Sequence, residues 1–200
     1  MNVAGAEIEL PIVGAPLAGG PSTPALAAAV SAGGGLGFVA AGYRTAAEVA
    51  ADVESVRRTT EKPFGVNLFV PGRRAVDEAA VAAYARRLAG EEARYGVASG
   101  EPRWSDDDWI AKLELVERER PAVVSFTFGL PDAGVVQSLQ AAGITVWCTI
   151  TSPAEAAAAS KRASRRSSSR VPRPAATRAR GTTPTMLRSR CFHSSGSSPR

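Results

Sequence analysis

The side chain best placed for chemistry is Asn67, a single amide inside the apolar run FGVNLFV. A buried amide must find hydrogen-bond partners. It therefore either ties neighbouring strands together or reaches a ligand at the strand end, and the sequence leaves both readings open. A second candidate is PIVGAPLAGG, residues 11–20, an apolar run that ends in Ala15, Pro16 and Leu17 and passes into a loop of small residues. Such a loop offers bare backbone on which a flat ring system could rest. A third, Gly35-Leu36-Gly37-Phe38-Val39-Ala40, fits G-x-G-x-x-A. A dinucleotide loop of that kind must follow a strand and open a helix. These glycines come before a strand, so they read as a helix-to-strand turn that needs positive φ and close backbone packing.

The remaining chemically capable residues read as structural. Cys148, between Trp147 and Thr149, has no His or Asp pattern around it and reads as a small core residue. Thr149 and Thr151 end an apolar run and could face a substrate, although strand-end threonines are common. Asp106, Asp107 and Asp108 read as a cap for the helix that opens at Trp109, since anionic groups suit a helix N-terminus, and not as a metal site. His193, the sole histidine, stands in a Ser/Arg-rich stretch without a partner motif.

Short apolar runs alternate along the chain with Ala-rich amphipathic stretches. Strands are expected at Glu9–Ala15, Leu36–Ala41, Phe64–Val70, Ala122–Phe128 and Ile144–Ile150. Helices are expected at Thr23–Ala32, capped by Ser22 or Thr23 with Pro24 at its first position, at Thr45–Arg58, where Ala46, Val49, Val53 and Val56 share a face, at Ala75–Tyr95, Trp109–Glu119 and Asp132–Ala142, and from Ser152 and Pro153 onward. The strands are continuously apolar, as strands buried on both faces must be, which indicates a parallel sheet covered by helices. A doubly wound sheet and a (β/α)8 barrel both satisfy that pattern. A barrel takes about 250 residues, so one here would be truncated to about five βα units.

Composition divides the chain in two. Of 200 residues, 44% are hydrophobic and 22% charged, which excludes collagen-like and wholly disordered classes. Residues 1–159 hold 13 Lys+Arg against all 19 Asp+Glu, a net of −6, whereas residues 160–200 hold 11 Lys+Arg and no acid. The sequence pI near 9.8 thus comes from the last 41 residues and is no argument for a nucleic-acid function of the rest. Two cysteines give no disulfide framework or CxxC pair, so a reducing cytoplasm is the expected location. The uncharged stretch between Glu9 and Arg44 is broken by Pro11, Pro16, Pro21 and Pro24, which argues against a membrane span.

The strings PIVGAPLAGGPSTPALAAAVSAGGGLGFVAAGY, FGVNLFVP, VVSFTFGLP and GITVWCTITSPAEA, in that order, resemble the nitronate monooxygenase (2-nitropropane dioxygenase) family over about residues 8–159. The resemblance implies a TIM-type barrel with FMN at its C-terminal rim. It also implies oxidation of a small alkyl nitronate by O2, contact of Ala15, Pro16 and Leu17 with the flavin ring (Met is common where Leu17 stands), and an Asn67 bond to the cofactor. Many members of that family use as base a His in a Gly-Gly-His segment after the sixth strand. No such segment is present, and no catalytic role passes to His193.

From Ser160 the chain reads SKRASRRSSSRVPRPAATRARGTTPTMLRSRCFHSSGSSPR, with 10 Ser. We expect a disordered, out-of-frame tail. Read one base out of phase, Ser169–Thr177 can give VQGAEAGGH, close to the family segment the chain otherwise lacks. The expected domains are therefore a partial FMN-binding barrel over 1–159 and a tail over 160–200, with activity doubtful and no specific nucleic-acid or membrane partner. The competing readings are a non-catalytic relic or interaction protein with a nucleic-acid-adhesive tail, and another FMN barrel of enoyl-reductase-like type.

Overall fold

The computed structural model describes residues 2–3, 6–72, 77–163 and 192–193. The chain starts with a small antiparallel pair, β1 (Asn2–Val3) and β2 (Ala6–Glu7). Alternating helices and strands follow: α1 (Pro24–Ala32), β3 (Gly37–Ala40), α2 (Ala46–Thr59), β4 (Phe64–Phe69), α3 (Glu78–Tyr95), α4 (Trp109–Glu119), β5 (Val123–Thr127), α5 (Ala133–Ala141), β6 (Thr145–Ile150) and α6 (Pro153–Ala163), with β7 (Phe192–His193) last. Most expected elements appear with ends shifted by a residue or two. For the helix expected from Ala75, the start falls at residues 73–76, outside the described residues. Asp77 caps the observed α3 by accepting the Ala80 N–H at 2.8 Å.

The sheet runs β3-β4-β5-β6-β7 with every neighbouring pair parallel. Spatial order equals chain order. A doubly wound sheet reverses direction at a switch point; this one does not. The alternative left open by the sequence is thereby resolved in favour of an α/β fold of TIM-barrel type, truncated within the described residues.

The first expected strand survives only as a parallel bridge between Val13 and Leu36. Pro11 has no N–H to give, Gly34 O takes both the Glu9 and Leu10 amides, and Ile12 N–H turns back to Leu10 O at 2.7 Å. Pairing begins only where the backbone is free, with Leu36 N–H on Ile12 O and Gly14 N–H on Leu36 O, both at 2.9 Å.

Register then sorts the side chains onto two faces. Val39, Val66, Leu68, Val124 and Phe126 meet Val49, Val53 and Val56 of α2, Leu115 and Val116 of α4 and Leu139 of α5 in the main core. On the opposite face Phe38, Val123 and Trp147 pack with Leu36, and Ile8, 5% exposed, closes them from below. Phe38 and Trp147 stack tilted at 5.7 Å. That second face is the barrel interior, and its apolar layer occupies the end at which the strands begin.

Close packing explains the glycines before β3. A Cβ on Gly37 would lie 1.9 Å from Ala27 O, and one on Gly35 2.7 Å from Ile12 O. The positive φ of this turn belongs to Gly34, at 90°, so the helix-to-strand reading holds, with the left-handed residue one position earlier than the motif. The Ser31 hydroxyl completes the turn by accepting the Gly37 N–H at 3.0 Å in the buried interior.

The boundary expected at residue 159 falls inside a helix, because α6 continues to Ala163. Arg162 anchors its end by donating to Leu130 O and, at 2.9 Å, to Pro131 O. Of the expected tail, Phe192–His193 pairs with Thr149–Ile150 as a two-residue parallel strand. The rest, residues 164–191 and 194–200, lies outside the described residues. No helix among those described is long and apolar enough to cross a membrane.

Candidate functional site at the strand C-termini

Parallel β/α units present their loops at the C-terminal ends of the strands, and that is where the candidate residues gather. The 15–22 loop leaves the Val13 bridge at this rim. Ser22 closes it from both sides: its Oγ accepts the Leu17 N–H at 2.8 Å and donates to Ala15 O at 3.1 Å, while Ser22 N–H returns to Leu17 O at 3.3 Å. Ala15 and Leu17 stay exposed, Leu17 at 54%, and Pro16 is half-buried. Gly19 and Gly20 sit at φ 85° and 121°, with open space where a side chain would be. The result is a pinned turn that shows backbone and one leucine to solvent.

Asn67 is 3% exposed on the interior face of β4. Its Nδ2 donates to Ser125 Oγ at 2.9 Å, Ser125 O at 3.2 Å and Thr127 Oγ1 at 3.0 Å, all on β5. Because a carbonyl only accepts, Ser125 O fixes the amide orientation. The donor half of Asn67 is thus spent on tying β4 to β5. Its Oδ1 has no hydrogen-bond partner among the described residues, which leaves an acceptor for a ligand. Sequence reasoning missed Ser125 and Thr127, although their alternation with Phe126 in VSFT placed both on one strand face.

One layer above Asn67, the rim is aromatic. Phe69 meets Tyr43 edge-on at 5.3 Å and Phe128 edge-on at 4.7 Å. The outer two rings are 76% and 72% exposed, and both residues have left-handed backbone, φ 65° and 69°. Gly42 makes room for the middle ring, since a Cβ there would lie 2.2 Å from it. Tyr43 also joins Leu17, Gly19, Gly20, Ser22 and Arg44 around a recess of about 270 Å³. Arg44 is held aside by Asp52 at 2.7 Å.

The aspartate run does a different job from the one its sequence suggested. Asp108 stands at the N-cap position of α4 but makes no cap bond there. Its Oδ2 accepts the Ala46 N–H of α2 at 3.0 Å, and Asp107 Oδ1 accepts the Tyr43 N–H at 2.8 Å. The run therefore clamps the start of the neighbouring helix across the rim. No cluster of three or more potential metal ligands occurs among the described residues.

Thr151 serves α6: its N–H and hydroxyl both donate to Glu155 Oε2, at 2.6 and 3.1 Å. These bonds hold the Glu155 carboxyl below the usual range. Thr149 is exposed on the interior face. Cys148 is half-buried on the other face, packed against the main core as expected. The register sets His193 beside Ile150.

Comparison with known proteins fits this architecture. The sequence model of the family described as nitronate monooxygenase matches residues 4–164. The chain is 41% identical to the nitronate monooxygenase of Pseudomonas aeruginosa over 156 residues, 75% of this chain and 44% of that one. To the nitronate monooxygenase of Paraburkholderia phytofirmans it is 39% identical, covering 75% and 42%. Among solved structures, the nitroalkane oxidase of Streptomyces ansochromogenes superposes with a TM-score of 0.73 at 45% identity, over 78% of this chain and 44% of that one. FabK from Thermotoga maritima superposes with a TM-score of 0.56 at 26% identity, over 78% and 39%. The chain spans less than half the length of these relatives. With the family model covering most of its residues and the barrel order of its strands agreeing, the chain belongs to the nitronate monooxygenase family of oxidoreductases.

Proposed function

We propose that this chain is the N-terminal part of an FMN-dependent barrel that oxidises small alkyl nitronates with O2, with the flavin at the rim described above. The observation that carries the reading is the half-satisfied amide of Asn67. A buried side chain with its donors engaged and its acceptor open, in register with Ala40 of the recess lining, is arranged to receive an N–H donor from a planar ligand. Ala15, Pro16 and Leu17 would lie against the ring system, and Asn67 Oδ1 would bond its edge. When bound, FMN supplies the electron transfer from the substrate anion to O2. The chain's own residues orient and enclose. Ser22 keeps the 15–17 backbone in place, Ser125 and Thr127 aim Asn67, and the Tyr43–Phe69–Phe128 row shields the polar layer from bulk water.

In this reading the 200-residue chain alone binds FMN weakly and does not turn over, because its sequence lacks the Gly-Gly-His segment that carries the base in many members of the family. The direct test joins residues 1–163 to the second half of the Pseudomonas aeruginosa relative. We expect a yellow protein that releases FMN on denaturation and consumes O2 with ethyl nitronate. A folded but colourless fusion that takes up no added FMN would sink the assignment.

A further inference from the structure

The turn before α4 holds two consecutive non-glycine residues in the left-handed region, Asp107 at φ 57° and Asp108 at φ 55°. Such backbone persists only where its surroundings over-determine it, and it concentrates at functional sites. Here the surroundings reach across two βα units. Asp107 Oδ1 accepts the N–H of Tyr43, itself left-handed, and Asp108 Oδ2 accepts that of Ala46. The other Asp107 oxygen lies 2.8 Å from the Nζ of Lys112, which is 1% exposed. The contact is charge against charge, with angles outside hydrogen-bond geometry. An ammonium buried on these terms is a costly way to stabilise a helix, so its position calls for a reason beyond packing.

The reason is on the other side of Asp107. Tyr43 lines the rim recess together with Leu17 and leads the row of rings through Phe69 to Phe128. Its ring can stand there only while its backbone keeps the left-handed turn, and the side-chain bond given to its amide comes from Asp107. We propose that Asp107, held by the buried Lys112, is the positioning residue for the aromatic wall of the rim recess. That this wall faces a flavin rests on the reading above; that Asp107 sets the wall does not.

The test uses the full 200-residue chain labelled with 3-fluorotyrosine, whose three signals are assigned through Tyr43→Phe, Tyr84→Phe and Tyr95→Phe. Two double variants both remove the buried charge pair and differ in one acceptor atom: Asp107→Asn/Lys112→Met keeps an oxygen for the Tyr43 amide, and Asp107→Ala/Lys112→Met does not. We expect equal melting temperatures, a Tyr43 amide that exchanges at least tenfold faster in the Ala pair, and a Tyr43 fluorine signal that moves in that pair alone, as the ring leaves its edge contact with Phe69. Equal Tyr43 exchange and fluorine shift in the two pairs would overturn the proposal. Titrated FMN separates the two readings. If the fusion of residues 1–163 with the second half of the Pseudomonas aeruginosa relative takes up none, the flavin assignment fails, while the comparison of the pairs in the 200-residue chain still decides the role of Asp107.

Discussion

Asn67 ties two strands through its donors, and in the proposed function its acceptor serves a ligand as well. Three acceptors on β5 share its two amide protons, so removing the group takes a donor from half-buried Ser125 and Thr127. Losing such bonds costs about 1–3 kcal/mol. In the FMN-loaded fusion, Asn67→Ala is expected to lower apo-form stability by that amount in urea denaturation and to raise the FMN dissociation constant at least tenfold in fluorescence titration. A lowered stability with unchanged flavin affinity would leave Asn67 as a strand tie alone. The sequence exposed the amide but not this division of labour. The partners lie 58 and 60 residues away, and only the β4–β5 register brings them within reach.

At the scale of the element, helix α2 starts in a capping box whose electrostatics are readable. Glu48 Oε2 accepts from the N–H of Thr45 at 2.7 Å and from its hydroxyl at 2.9 Å. Those bonds, the backbone one first, hold the Glu48 carboxyl below its ordinary range. A carboxyl depressed in the folded state adds stability above its unfolded pKa and loses it as pH falls through the folded one. Asp52, one turn on, has the opposite sign. Burial outweighs the nearby Arg44 and raises its pKa, so its contribution favours the fold at low pH and fades as pH rises. Between pH 6 and pH 3, exchange of the Thr45 and Glu48 amides should therefore accelerate beyond the intrinsic pH effect, and Glu48→Gln should remove most of that response. An unchanged response in Glu48→Gln would assign it elsewhere. The helix start at Thr45 was legible in the sequence, but the box was passed over, although Thr45 and Glu48 stand three apart. The second tie on this helix start, from Asp108, was not legible, because a run of three aspartates before Trp109 looks like a local cap and is in fact a long-range one.

For the whole molecule, βα alternation sufficed to reach a parallel sheet covered by helices, and the match of chain order to spatial order then selected the barrel over the doubly wound sheet. The sequence placed five strands well except the first, where an apolar string was not enough: Pro11 and the double use of Gly34 O withhold the backbone groups a ladder needs. That short segment also leaves an edge. Val13 turns its own N–H and C=O away from Leu36, with no strand beside them among the described residues, and Leu10 and Ile12 are 46% and 55% exposed. Unprotected apolar edges invite pairing between copies, and an edge lysine blocks it. The parent chain is expected to scatter light on warming in a concentration-dependent way, with Ile12→Lys delaying the onset by several degrees at unchanged far-UV circular dichroism. An onset independent of concentration, or unmoved by Ile12→Lys, would place the weakness elsewhere.

The grip of Arg162 on Leu130 O and Pro131 O has a practical bearing on where this polypeptide can be trimmed. The two carbonyls belong to the connection leaving β5, so the last turn of α6 acts as a clasp on a loop that passed 31 and 32 residues earlier. Cutting after Ala159, where composition changes, throws the clasp away and leaves the α5 entrance loose. Cutting after Ala163 keeps it, at the expense of four residues that look like the start of the basic tail. A shortened protein for crystallisation or for grafting onto a relative should therefore be cut by that arginine's reach, and not by the charge pattern around it.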